Sequence, residues 1–124
     1  MKQKKILIAD DNDNIREALT SILEDEGYAL WIAKDGEEAL RKIREISPDI
    51  VILDVMMPKV TGYDVCRTIK TDPDLKKIFV LMLSAKGQAI EQERGRESGA
   101  DEYMVKPFSP SEVLARINKI VVNE

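Results

Sequence analysis

The amino-acid sequence predicts an α/β fold in which a parallel sheet is covered by helices on both faces. Short apolar runs alternate along the chain with segments whose apolar residues recur at helical spacing. The apolar runs are almost free of polar residues, which is typical of strands that are buried on both faces. Strands that alternate with helices imply parallel pairing through right-handed crossovers, so we expect a doubly wound sheet.

Five apolar runs are the predicted strands, and each is bounded by polar or turn-forming residues. They are "ILIA" at 6–9, "ALWIA" at 29–33, "IVIL" at 50–53, "IFVLML" at 78–83 and "YMV" at 103–105. A chain of 124 residues suits one core of ordinary size. The sequence therefore predicts one domain, residues 1–124, with five strands.

The segments between the strands each show one apolar face, as amphipathic helices do. The apolar positions are Ile15, Leu19, Ile22 and Leu23, then Ala39, Leu40, Ile43 and Ile46, then Val65, Cys66 and Ile69, and finally Val113, Leu114, Ile117, Ile120 and Val121. Asn12 or Asp13 can cap the first helix, and Gly27 can end it. Ser109, with Glu112 three residues later, has the spacing of a capping box before the last helix.

The stretch at residues 87–98 is the weakest of the helix predictions. Gly87 and Gly95 interrupt it, and Ala89 and Ile90 supply most of its apolar face. An interior glycine costs about 1 kcal/mol relative to alanine. We therefore expect this fourth helix to be the least stable of the five.

Composition excludes several classes of function. The chain has no histidine, so no imidazole within it can act as base, nucleophile or metal ligand. Its one cysteine, Cys66, cannot form an internal disulfide, which favours a reducing, cytoplasmic setting. A net charge of −4 with scattered basic residues argues against direct binding of nucleic acid. No stretch is long and apolar enough to cross a membrane, and "MKQKK" is followed too soon by "DDND" to be a signal peptide.

Polar residues follow four of the predicted strands, at the edge of a parallel sheet where ligands bind. They are Asp10 and Asp11 after the first strand, Asp54 after the third, Ser84 after the fourth and Lys106 after the fifth. Two carboxylates about 4 Å apart repel by about 4 kcal/mol at an effective dielectric of 20, so three converging carboxylates need a cation. Oxygen ligands without histidine or thiolate favour Mg²⁺. A phosphoryl group could then meet a lysine charge, a serine hydroxyl and a nucleophilic carboxylate.

Four stretches, "ADDN", "ILDVMMPKVTG", "LMLSAK" and "GADEYMVKPFSP", together resemble the receiver domain of two-component response regulators, and the resemblance spans the whole chain. It implies a flavodoxin-like fold of five strands and five helices with strand order 2-1-3-4-5. It also implies that Asp54 is the phosphorylated residue. Asp10 and Asp11 would hold Mg²⁺ together with Asp54, and Met56 would add its backbone carbonyl.

The same resemblance implies a switch and a set of partners. Ser84 would turn toward the phosphoryl group, Lys106 would contact it, and Tyr103 would swing inward into the space behind Ser84. The surface of the fourth helix, fifth strand and fifth helix would then change shape. The implied phosphoryl donor is a histidine kinase or a histidine phosphotransfer protein, and the changed surface would act on an output domain or an effector protein.

The stretch "GADEYMVKPFSPSEVLARI" most resembles receivers attached to winged-helix DNA-binding domains, which pair through this surface with charges such as Asp101 and Arg116. The resemblance therefore implies a possible phosphorylation-dependent homodimer. Asn123 stands where the family tends to have arginine. A stand-alone regulator and an excised N-terminal receiver are both open alternatives.

Three other functions on this architecture fit the residues less well. A flavin carrier needs a glycine-rich and hydroxyl-rich loop after the first strand, whereas "DDNDN" would repel phosphate. A phosphatase with an aspartate nucleophile usually has a second acid two residues later, where this chain has Met56; it is the alternative enzyme interpretation. A phosphorylation-independent adaptor normally lacks part of the acidic cluster. We therefore expect self-phosphorylation and self-dephosphorylation without conventional enzyme turnover.

Overall fold

A computed structural model of the chain describes residues 3–84, 98–105 and 109–122. The elements are β1 (Lys5–Ala9), α1 (Asp13–Asp25), β2 (Ala29–Ala33), α2 (Gly36–Ile46), β3 (Ile50–Asp54), α3 (Gly62–Thr71), β4 (Phe79–Ser84), β5 (Glu102–Val105) and a C-terminal helix (Pro110–Val122). Each of these elements overlaps a predicted one. The predicted helix at 87–98 lies almost entirely outside the described residues.

The strands form one parallel sheet with the order β2-β1-β3-β4-β5. Ala9 of β1 pairs with Leu53 of β3, and Asp54 of β3 pairs with Leu83 of β4. This register brings the carboxyl ends of the central strands to one edge. The predicted doubly wound fold and its strand order 2-1-3-4-5 are confirmed.

The core lies in two layers, one on each face of the sheet. Along β3, Val51 and Leu53 pack on the side of α2 and α3, whereas Ile50 and Ile52 pack on the side of α1 and the C-terminal helix. All four side chains are fully buried, and each contributes roughly 1.5–3 kcal/mol to folding. Cys66 belongs to the α3 layer, and burial raises the pKa of its thiol. It is therefore a packing residue, as the sequence indicates.

Local side-chain contacts determine where the outer helices begin and end. Asn12, rather than Asp13, caps α1 by accepting hydrogen bonds from two backbone N–H groups. Gly27 follows the end of α1 with φ of +88°, a conformation that favours glycine. The N–H of Glu112 donates to Ser109 Oγ at 3.2 Å, and the N–H of Ser109 donates to Glu112 Oε1 at 3.4 Å, which confirms the capping box. None of the described helices could span a membrane.

Candidate functional site

Three carboxylates meet at the carboxyl edge of the sheet. Asp10 follows β1, Asp11 comes next along the chain, and Asp54 is the last residue of β3. One carboxylate oxygen from each lies within 4.8 Å of the oxygens from the other two. Asp10 is fully buried and Asp54 is 4% exposed, whereas Asp11 is exposed. The structure thus brings the predicted acidic residues into one cluster, which we call the acidic cluster, with its Asp11 side open to solvent.

The charge and chemistry of the acidic cluster fit a hard divalent cation. Buried carboxylates at this separation repel one another strongly in the absence of a compensating charge. All of the donor atoms in the cluster are carboxylate oxygens, which are the ligands that Mg²⁺ prefers, and the solvent-facing side leaves room for the waters that this ion retains. The residues present therefore match the predicted Mg²⁺ site in donor type, number and proximity.

The loop between β1 and α1 holds the first of these acids firmly. The backbone N–H of Asp10 donates to the Ala33 carbonyl at 3.1 Å, and the backbone N–H of Asn12 donates to Asp10 Oδ1 at 2.9 Å. Arg16 Nη1 donates to the backbone carbonyl of Asp10 at 2.8 Å. Sequence reasoning missed Arg16, since an arginine on the polar side of an amphipathic helix normally lies in solvent. Its position three residues after Asp13 is the only sequence signal that could have found it.

Of the two other predicted site residues, Ser84 lies within the described residues and Lys106 does not. Ser84 is the last residue of β4 and is 2% exposed. The residue before it, Leu83, pairs with Asp54 of β3. The structure therefore puts Ser84 at the edge that carries the acidic cluster. Val105, the last residue of β5, pairs with Ser84. Lys106 lies outside the described residues, so its role stays a prediction.

The loop between β3 and α3 packs directly against the backbone of Asp54. A Cβ atom added to Gly62 would lie 2.2 Å from the Asp54 carbonyl oxygen and 2.8 Å from Val55 Cα. The N–H of Gly62 donates to the Val55 carbonyl at 2.9 Å, and the N–H of Val55 donates to the Leu83 carbonyl at 3.0 Å. Only glycine allows this approach. Met56, whose carbonyl is a predicted metal ligand, lies in this loop with a side chain that is 69% exposed.

The same loop is also joined to the beginning of α2. A Cβ atom on Gly36 would lie 2.0 Å from the Val60 carbonyl oxygen. The N–H of Gly36 donates a long hydrogen bond, 3.5 Å, to the Pro58 carbonyl. Lys59, which has φ of +71°, places its Nζ 3.7 Å from Asp35 Oδ2. These contacts hold the β3–α3 loop between two helix ends.

Asp35 is held in its charged form by its surroundings. The backbone N–H of Glu38 donates to its carboxylate at 2.8 Å and keeps the pKa of Asp35 below its usual range, with Lys59 and Lys34 adding to that effect. The ionised carboxylate caps α2, and through Lys59 it links the beginning of α2 to the β3–α3 loop, which also carries Met56.

Tyr103, the predicted switch residue, lies in β5 and is half-buried against the cluster packed under α2 and α3. Its hydroxyl is buried and has no hydrogen-bond partner among the described residues. The inward movement of Tyr103 stays a prediction.

The two charges predicted to pair across a homodimer already have partners within the chain. Asp101 Oδ2 lies 2.6 Å from Lys70 Nζ, and Arg116 Nη1 lies 2.5 Å from Glu102 Oε1. Asn123 lies outside the described residues. The predicted use of Asp101 and Arg116 in pairing of two receivers stays a prediction, and such contacts would compete with these internal ones.

Comparisons with known proteins agree with this geometry. A family model described as the response regulator receiver domain matches residues 6–118. The probable transcriptional regulator ycf27 of Guillardia theta is 46% identical over 119 residues, which are 96% of this chain and 46% of that protein. The alkaline phosphatase synthesis transcriptional regulatory protein PhoP of Bacillus subtilis is 46% identical over 119 residues, 95% of this chain and 48% of that protein. The chain spans about half the length of the curated relatives it matches.

A solved structure gives the same result for the fold. The chemotaxis response regulator CheY4 of Vibrio cholerae has a TM-score of 0.90 to this chain and 32% sequence identity. The match covers 96% of this chain and 99% of the solved one.

Proposed function

The chain belongs to the response regulator receiver domain family, and from this premise we propose that it accepts a phosphoryl group on Asp54 and relays that event to a partner. Its relatives are regulators of two-component systems, and the chain has the function of a two-component response regulator receiver. The proposal depends above all on one observation: Asp54 is a nearly buried carboxylate at a strand end, within 4.8 Å of two further acids.

The transfer step needs a nucleophile on this chain and a donor elsewhere. A carboxylate oxygen of Asp54 attacks the phosphorus of a phosphohistidine, the bond between phosphorus and the imidazole nitrogen breaks, and the released imidazole takes up a proton from water. These 124 residues contain no histidine, so this domain does not supply the donor imidazole. The donor is a histidine kinase or a histidine phosphotransfer protein.

The remaining site residues bind and neutralise charge. Asp10, Asp11 and Asp54 would hold Mg²⁺, with the backbone carbonyl of Met56 as a further oxygen ligand. When bound, Mg²⁺ supplies positive charge to the oxygens of the transferring phosphoryl group. Lys106 adds a second positive charge. The exposed thioether side chain of Met56 offers no proton, so we expect self-phosphorylation and self-dephosphorylation rather than the turnover of a phosphatase.

Phosphorylation would then bias the described switch residues. It changes the charge at Asp54 from −1 to about −2 and adds acceptor oxygens. Hydrogen bonds to charged groups contribute about 1.5–3 kcal/mol each, and inverting a 1:99 population needs about 5.5 kcal/mol. Two new bonds, from Ser84 and Lys106, come close to that amount. Inward movement of Tyr103 would change the surface formed by β5, the C-terminal helix and the predicted fourth helix.

Partners and setting follow from the same proposal. The altered surface would bind an output domain or an effector protein, or a second copy of the chain in a phosphorylation-dependent homodimer. Direct binding of nucleic acid by this domain is not expected, because its net charge is −4. The proposed phosphohistidine donor and a single cysteine without an internal disulfide partner support a cytoplasmic setting.

The phosphorylation site can be tested by intact-mass spectrometry after incubation with acetyl phosphate and Mg²⁺. The wild-type chain should gain the mass of one phosphoryl group, and Asp54→Asn should gain none. Asp25→Asn, which changes an exposed carboxylate at the end of α1, is the matched control and should label fully. Labelling of Asp54→Asn to the wild-type extent would refute the site.

A further inference from the structure

Arg16 holds the loop that carries two of the three acids. Its Nη1 donates to the backbone carbonyl of Asp10 at 2.8 Å, and its Nη2 contacts the carboxylate of Asp13. The Arg16 side chain is only 14% exposed, although that of Asp13 is 85% exposed. The largely buried guanidinium therefore joins Asp10, the residue after β1, to Asp13, the first residue of α1.

The hydrogen bond to the Asp10 carbonyl constrains the orientation of the Asp11 backbone. The peptide unit is planar, so fixing the carbonyl oxygen of Asp10 also fixes the N–H of Asp11. The carboxylate of Asp10 is fixed separately by the N–H of Asn12 at 2.9 Å. Within the described residues, no hydrogen bond or ion pair holds the Asp11 carboxylate. The position of Asp11 thus depends on its backbone, and the backbone depends on Arg16.

A plain surface ion pair between residues three apart on a helix would not explain this arrangement. Such pairs join exposed side chains and contribute little. Here the guanidinium is largely buried, and one of its two bonds goes to the main chain of a residue in the acidic cluster. Arginine suits this task because its donors form a rigid planar fork and its charge persists at every physiological pH.

We propose that Arg16 is a positioning residue for the acidic cluster: by fixing the peptide between Asp10 and Asp11, it sets the affinity and selectivity of the cluster for Mg²⁺. This inference rests on the proposed metal site. Residues that orient metal ligands without touching the ion typically change metal affinity by about 10- to 100-fold when they are replaced.

The sign of the effect separates positioning from simple electrostatics. Removing a positive charge near a cation site strengthens cation binding if charge is all that matters, because like charges repel. Removing the hold on Asp11 weakens it. Mg²⁺ demands near-ideal octahedral geometry, whereas Ca²⁺ accepts irregular sites. Loss of positioning should therefore weaken Mg²⁺ binding more than Ca²⁺ binding.

The test is calorimetric titration of Mg²⁺ and of Ca²⁺ into the wild-type chain and three variants. Arg16→Met removes charge and donors, Arg16→Lys keeps the charge but cannot span both acceptors, and Arg41→Met removes an exposed arginine from α2 as the matched control. We expect about 10-fold weaker Mg²⁺ binding in Arg16→Met, at least as large a loss in Arg16→Lys, a smaller loss of Ca²⁺ binding in both, and wild-type behaviour in Arg41→Met.

Each other outcome has a distinct meaning. Wild-type protein that binds no Mg²⁺ would refute the metal site and this inference with it. Wild-type binding combined with equal or tighter binding by Arg16→Met would overturn the positioning role alone and leave the site standing. Equal losses for Mg²⁺ and Ca²⁺ would indicate general loosening and also overturn it. Circular dichroism without metal checks that each variant is folded. If Arg16→Met is unfolded, the Mg²⁺ and Ca²⁺ affinities of Arg16→Lys test the positioning role.

Discussion

At the scale of single residues, the most informative side chain near the site is one that carries no charge. Met56 comes two residues after Asp54, and its side chain is 69% exposed. A thioether neither orients water nor leaves room for it. Hydrolysis of an aspartyl phosphate needs a water in line with the phosphorus. A long-lived phosphorylated state is therefore expected.

Replacing Met56 by asparagine should shorten the life of the phosphorylated state. One well-placed polar contact changes a barrier by about 1–2 kcal/mol, which is roughly 5- to 30-fold in rate. The measurement is the decay of the aspartyl phosphate after the donor is removed. Val122→Asn, at a side chain 80% exposed in the C-terminal helix, is the control and should decay like wild type. Equal or slower decay in Met56→Asn would show that Met56 does not shield the phosphoryl group.

At the scale of elements, the junctions between strands and helices are fixed by close contacts between backbones. Gly62 begins α3 against the carbonyl of Asp54, and Gly36 begins α2 against the carbonyl of Val60. Both helices therefore begin so close to the β3–α3 loop that only glycine fits at these positions. The backbone of Asp54 is thus packed against the beginning of α3 in addition to being paired within the sheet.

Gly62→Ala should lower the free energy of unfolding by about 1–3 kcal/mol, because the new methyl group would overlap the Asp54 backbone. At an open helix position the same change would instead stabilise the protein, by up to about 1 kcal/mol. Urea denaturation measures the difference. Gly36→Ala, which would overlap Val60, should be destabilised similarly. An unchanged or raised stability of Gly62→Ala would contradict the contact described here.

The elements were predictable from sequence to a greater degree than these junctions. Strand ends marked by an abrupt change from apolar to acidic residues placed Asp10, Asp11 and Asp54 together correctly. Gly62 and Arg16 escaped prediction because each contacts a main-chain atom, and such contacts leave no periodic pattern in the sequence. Only the folded chain shows which backbone lies above a given glycine or below a given guanidinium.

At the scale of the whole molecule, repulsion among the three carboxylates of the acidic cluster is offset by the packing of the two core layers. The two core layers contain buried side chains on both faces of every central strand, so the domain tolerates a cluster of carboxylates at one edge. A ligand that binds only the folded state adds to stability by mass action. Stability of the domain should therefore depend on the divalent cation.

Mg²⁺ at ten times its dissociation constant should add about 1.4 kcal/mol to stability, which corresponds to roughly 5 °C in melting temperature for a domain of this size. Scanning calorimetry with and without Mg²⁺, at constant ionic strength, measures the shift. Asp11→Asn should melt higher than wild type without metal, since one repelling charge is gone, and should lose most of the shift. An identical Mg²⁺ shift in Asp11→Asn would count against the acidic cluster as the binding site.

The contact between Lys70 and Asp101 affects how the domain associates with other protein chains. The two groups belong to one chain, so each meets the other at an effective concentration of the order of millimolar or above. An arginine on a second copy at micromolar concentration competes at a disadvantage of about a thousandfold, or about 4 kcal/mol. In the predicted homodimer, pairing of Asp101 with a second copy would therefore compete with this internal contact. Lys70 thus disfavours chance association through Asp101 at low protein concentration.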